Sequence, residues 1–180
     1  AAIVTKKHGI SLAHLVAGTR SFDIKMPKEI NRLVIDGLSD YLFTAGMGSN
    51  SIVSREGAEL SHVYEVGNIL MDTLRFNHNR LQRPAVMDDL KLKNGKYIVF
   101  TLNRKALIAD KENLGNMIYA MNKAAGNTPI IAVLRNNAKE VVSQLTADMA
   151  DIQIIDSLPY LEFGYLTAHA MGIITDSGNV

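Results

Sequence analysis

Charged side chains crowd one short stretch, HLVAGTRSFDIKMPKEINR (14–32), where Arg20, Asp23, Lys25, Lys28, Glu29 and Arg32 follow a glycine break. Arg20 and Arg32 suit a carboxylate or phosphate, because a guanidinium offers a planar fork of donors. The same residues also fit a solvated loop and helix face, with Glu29 and Arg32 paired at i, i+3. A second candidate is GIITDSGNV (172–180), an apolar run entering Asp-Ser-Gly. Amides and a hydroxyl at the carboxyl end of a strand suit a phosphate. No helical pattern follows within the sequence, so the residues alone leave this site open. AGMGSNS (45–51) lacks both the third glycine of a dinucleotide loop and a Lys-Ser/Thr ending. A turn and N-cap before SNSIVSREG is expected there. There is no cysteine, and the five histidines show no HExxH spacing, so no metal site is expected. No GxSxG is present, and no nucleophile triad can be assembled.

The elements that must position these residues are legible as alternation. Apolar runs recur at 10–17, 41–45, 62–66, 97–100, 130–134, 152–155 and 172–175. Most are nearly continuous, as buried parallel strands are. Helical patterns lie between them. Leu114, Met117, Ile118 and Met121 form one stripe, with Asp110 as N-cap and Gly126 as stop. Ile30, Leu33, Val34 and Leu38 form another behind Pro27, and Leu161, Tyr165 and Leu166 a third after Pro159. Such alternation predicts a doubly wound α/β, Rossmann-like fold with parallel sheets. The polar stretch from Arg75 to Lys96, with Pro84 and Asn94-Gly95, is expected to join two α/β units.

Bulk properties exclude several classes. The 180 residues carry 19 basic and 18 acidic side chains, a net charge of +1. That balance gives no reason to expect nucleic acid or an anionic membrane as partner. No apolar run approaches the roughly 18 residues of a membrane span. The N-terminus does not read as a signal peptide, since its lysines follow the first apolar run. Together with the missing cysteine, this predicts a cytoplasmic protein.

Several blocks together resemble the non-hydrolysing UDP-N-acetylglucosamine 2-epimerases. HLVAGTRS (14–21), MPKEINR (26–32) and SDYLFT (39–44) match the family's HVEAGLRS, MPEEINR and SDYLFT. VGNILMDTL (66–74) resembles its VGN-x-x-x-DTL, and YLEFGYLTAHAMGIITDSGNV (160–180) its YLEF…LTDSGG. The resemblance implies parts of two Rossmann-like domains of a glycosyltransferase-B-type fold, with a UDP-sugar in the cleft. Residues 1–75 would be the latter part of the N-terminal domain, 76–96 the interdomain connection and 97–180 the first part of the C-terminal domain. It further implies that other catalytic and uridine contacts precede Ala1, that the ribose glutamate follows Val180, and that some sheet edges and helix faces are left uncovered here. A homodimer and no cofactor are also implied.

The reaction implied inverts carbon 2 of UDP-GlcNAc to give UDP-ManNAc, a precursor of cell-surface polysaccharide. UDP leaves by anti-elimination to give a 2-acetamidoglucal and then adds back. Such chemistry needs a base, an acid on the opposite face, and cations or amides for the diphosphate. By resemblance the surviving catalytic positions are Glu29 and Arg104, and the substrate contacts are Arg20, Arg32, Phe163, Ser177 and Gly178. The proton-handling positions differ. The glutamate of HVEAG is Val16, the first glutamate of PEE is Lys28, and the histidine aligned with FTLNRK is Asn103. The later PVHP-type histidine is Leu134, and the second glycine of the phosphate loop is Asn179. Valine moves no proton, and asparagine cannot titrate. A desolvated lysine could act as a base. Family resemblance therefore points to an isomerase, whereas these substitutions point to an inactive member that binds a nucleotide sugar or a protein. A generic Rossmann-like binding domain is the third reading.

Overall fold

The apolar runs become parallel strands, and the amphipathic stretches between them become helices. The computed structural model describes residues 1–178. In chain order the elements are α1 (Ala2–Lys7), β1 (Ala13–Ala17), α2 (Pro27–Leu38), β2 (Tyr41–Thr44), α3 (Met47–Arg55), β3 (Val63–Glu65) and α4 (Ile69–Asn77). There follow α5 (Val86–Asp89), β4 (Ile98–Thr101), α6 (Lys105–Ala109), α7 (Lys111–Ala125), β5 (Ile130–Val133), α8 (Asn136–Leu145), β6 (Ile152–Ile155), α9 (Tyr160–Ala168) and β7 (Gly172–Thr175). The chain divides into two units, Ala1–Phe76 and Asn77–Val180.

The first unit holds a parallel sheet of order β1-β2-β3. Its core is small: Ala17, Leu42 and Val53, with Ala58 and Val63 against them. The stripe predicted behind Pro27 does form one helix, α2, but most of it does not pack. Ile30, Leu33 and Val34 are exposed, while Glu29 and Asp36, one heptad apart, are buried. The reason is local. The inner face of α2 meets amides and a guanidinium from the β1–α2 loop, and an apolar residue there would leave those donors unpaired. Helix α3 also departs from expectation. It begins at Met47, with Gly46 as N-cap and no side-chain cap bond.

The second unit has a parallel sheet of order β6-β5-β4-β7. Its inner strands β4 and β5 are covered on both faces, which explains their continuous apolar sequences. Tyr97, Val99, Ile131 and Val133 enter one core with Met87 and Leu166. Phe100, Leu102, Ile130, Ala132 and Leu134 enter the other with Leu114, Ile118, Val141 and Val142. The Asp110 side chain caps α7 by accepting the Asn113 N–H at 3.1 Å. Gly126 ends that helix at φ 59°. Residues 77–96 pack with this unit: Met87 and Leu92 lie in its core, and the Gln82 N–H donates to the Leu161 carbonyl. The chain steps outward from β4 to β5 to β6 and then returns to the far side of β4 as β7. The strand order thus reverses between β4 and β7, the kind of position at which α/β sheets bind ligands.

Candidate functional site

The first unit gathers its polar residues at the carboxyl end of β1. Pairing with β2 shifts register between Leu15 and Ala17, so Val16 is bulged out of the ladder. Its φ is 61°, a left-handed conformation that is strained for a β-branched side chain. Gly18 follows at φ 73°, where an added Cβ would lie 2.4 Å from the Ser49 carbonyl oxygen. Only glycine meets both demands.

Asp36 organises what surrounds this turn. One oxygen accepts from the His14 ring Nδ1–H, and the other accepts the Gly18 N–H at 3.0 Å and the Arg20 Nη2 at 2.7 Å. Burial pushes the carboxyl up, but the His14, Gly18 and Arg20 hydrogen bonds outweigh it and hold Asp36 below its ordinary value. Arg20 also pairs with Glu56. That bond, with Asp36, raises the guanidinium pKa further despite burial. The Arg20 side chain is 1% exposed. The anion it was expected to meet is thus supplied from within, by Asp36 and Glu56. Glu29 has a comparable place. Its carboxylate accepts the Ser21 and Phe22 amides and the Ser21 hydroxyl, with Arg32 at 3.4 Å. The Ser21 amide contributes most to holding it below the ordinary carboxylate range. Lys28 is exposed at the start of α2, so the burial that a proton-accepting lysine needs is absent.

In the second unit, Asp176 ties the segments that follow β4 and β7 together. Its carboxylate accepts the Asn103 N–H at 2.9 Å and the Arg104 N–H at 2.6 Å, and its carbonyl accepts from Arg104 Nε. The Thr101 and Thr175 hydroxyls meet at 2.8 Å, and the Ser177 N–H donates to Thr175 Oγ1. Beside this clamp lies a cavity of about 410 Å³ at the carboxyl ends of β4 and β5. Asn103, Arg135, Ser157, Tyr160, Phe163 and Ser177 are among its lining residues. The volume is in the range of small-molecule sites, and two aromatic rings with several hydroxyls suit a ligand part flat and part polar. The cavity brings together Asn103, Phe163 and Ser177 of the residues singled out by sequence. Arg104 and Gly178 flank it in the chain. Leu134 is buried in the core and faces no ligand. Asn179 lies outside the described residues.

A slightly larger space, about 430 Å³, lies in the first unit among Leu33, Gly37, Leu42, Val53 and His62. It opens beside the C-terminal half of α2, away from the carboxyl strand ends. Among the described residues, no group of three or more His, Cys, Asp or Glu could hold a metal ion. No helix among them is long and apolar enough to cross a membrane.

Comparison with known proteins gives this geometry a family. The model of the UDP-N-acetylglucosamine 2-epimerase family matches residues 1–180. The chain belongs to that family. A UDP-N-acetylglucosamine 2-epimerase homolog of Methanococcus maripaludis is 32% identical over 99% of this chain and 51% of its own length. A UDP-2,3-diacetamido-2,3-dideoxy-D-glucuronate 2-epimerase of Pseudomonas aeruginosa is 31% identical, over 99% and 50%. The crystal structure of a Methanocaldococcus jannaschii UDP-GlcNAc 2-epimerase in complex with UDP-GlcNAc and UDP superposes with a TM-score of 0.84 at 31% identity, over 99% of this chain and 51% of that one. The α/β, glycosyltransferase-B-type class expected from sequence is thereby established. The chain spans about half the length of the relatives it matches.

Sequence reasoning missed three residues of this epimerase-family chain. Asp36 carried a signal, since it lies one heptad from Glu29 on the same helix face. Asp176 stood inside a quoted motif, but its partners are more than 70 residues away. Arg135 gave no signal, because its importance depends on where β5 ends.

Proposed function

We propose that the protein containing this chain binds a UDP-activated 2-acetamido sugar and inverts it at carbon 2. The observation that carries this reading is the cavity at the carboxyl ends of β4 and β5, in a chain that belongs to this family. In this reading Tyr160 and Phe163 flank the uracil ring, Ser177 offers its hydroxyl and Gly178 its amide to the diphosphate. Arg104, next to Asn103 in the chain, is oriented by Asp176. Glu29 and Arg32 act through the 20–26 loop, which they hold in shape. With Val16, Lys28 and Asn103 as described, proton transfer falls to groups other than those three positions. Assembly as a homodimer belongs to the same reading.

The test is incubation of the full-length protein with UDP-GlcNAc in heavy water, followed by NMR. Deuterium at C2 and appearance of the 2-epimer are expected. Binding of UDP without exchange would make the protein an inactive family member. Absence of UDP binding would remove the nucleotide-sugar reading altogether.

A further inference from the structure

Among the described residues lining the second unit's cavity, Arg135 is the only charged one. It is exposed and immediately follows β5 and Leu134. Asp156, the carboxylate that follows β6, is already paired with Lys139 at 2.6 Å. Arg135 itself has no ion pair among the described residues. Its surroundings supply hydroxyls from Thr101, Ser157 and Ser177 and the Asn103 side chain, but no acid. A guanidinium without a carboxylate, at the rim of a cavity lined by neutral donors and two aromatic rings, is suited to an anion attached to a flat base.

The two positions at which the family resemblance places histidines are neutral here. One is Asn103, on the cavity wall, and the other is Leu134, in the core. The charged side chain of this cavity is instead Arg135, the residue that follows Leu134. The geometry points to Arg135 as the diphosphate-binding and specificity-determining cation of this chain, an assignment that rests on the UDP-sugar reading above. A guanidinium binds two phosphate oxygens at once and keeps its charge at every physiological pH, unlike an imidazole. The site would therefore discriminate by phosphate count: UDP over UMP, and UMP over uridine.

The experiment compares the full-length protein with Arg135→Ala and Arg135→Lys. UDP affinity is measured by calorimetry and uridine affinity by competition in ligand-observed NMR. Arg135→Ala is expected to weaken UDP by about 10- to 100-fold, the worth of charged hydrogen bonds, and to leave uridine within about twofold of the parent. Arg135→Lys should fall between, since the point charge persists and the fork is lost. Unchanged UDP affinity in Arg135→Ala, with the parent still binding UDP, overturns the assignment alone. Equal losses for UDP and uridine overturn it as well, because they mark a general disturbance of the cavity. A parent that binds neither overturns both this assignment and the function it rests on.

Discussion

Replacing Asp36 by alanine removes the acceptor for three donors at once. The carboxylate is 6% exposed and accepts from His14, Gly18 and Arg20. Breaking a buried ion pair from one side costs about 3–5 kcal/mol, because the other charge stays buried. An orphaned amide adds about 1–3 kcal/mol. Glu56, itself one-third exposed, still holds Arg20, which draws the total toward the lower end. A loss of about 3 kcal/mol is expected, or about 100-fold in the opening equilibrium. Hydrogen exchange is the assay, because it reports the first unit separately from the second. Protection of the β1, β2 and α2 amides should fall by about that factor, while that of β4 and β5 stays unchanged. A fall of less than threefold at β1 would refute the reasoning. The sign of the pH dependence follows from the depressed folded pKa. The carboxylate's contribution is fully present above the unfolded value, about 3.9, and is lost as pH falls through the folded one. In Asp36→Asn that acid-dependent part of the protection should be missing.

Three further outcomes are expected. Val16→Asn should stabilise the protein by about 0.5–1 kcal/mol, since asparagine tolerates positive φ and valine does not; an unchanged or lower thermal midpoint would show that Val16 carries no strain. Gly18→Ala should destabilise by well over 1 kcal/mol, because the new methyl meets a backbone oxygen in a left-handed turn, and soluble yield with urea midpoint would report it. The buried Tyr97 hydroxyl donates to the Leu166 carbonyl at 2.7 Å, and burial pushes its pKa up to about 12. Ultraviolet titration should therefore leave one tyrosine neutral past pH 11. As unfolded Tyr97 ionises near 10, stability should fall between about pH 10 and 12, a fall absent from Tyr97→Phe.

The sequence by itself determined the class of fold, because burial on both faces of a parallel sheet writes continuous apolar runs into the chain. Each expected run overlaps a strand, and the helix behind Asp110 ends at Gly126. Family resemblance likewise rests on residues readable in order, and HLVAGTRS and TDSG carried most of it. What side chains touch was decided only by tertiary structure. Arg20 carries a charge that suggests a ligand in a linear reading, yet it is enclosed by Asp36 and Glu56, which folding brings from later in the chain. Asp36, hidden in an amphipathic stripe, joins a histidine 22 residues away to a guanidinium and a turn. Asp176 closes a loop more than 70 residues upstream. Periodicity records the distance between neighbours along a helix or strand. It carries no record of which charges meet across the fold, and pairing across the fold is what separates a buried structural ion pair from Arg135, a cation with no ion pair among the described residues.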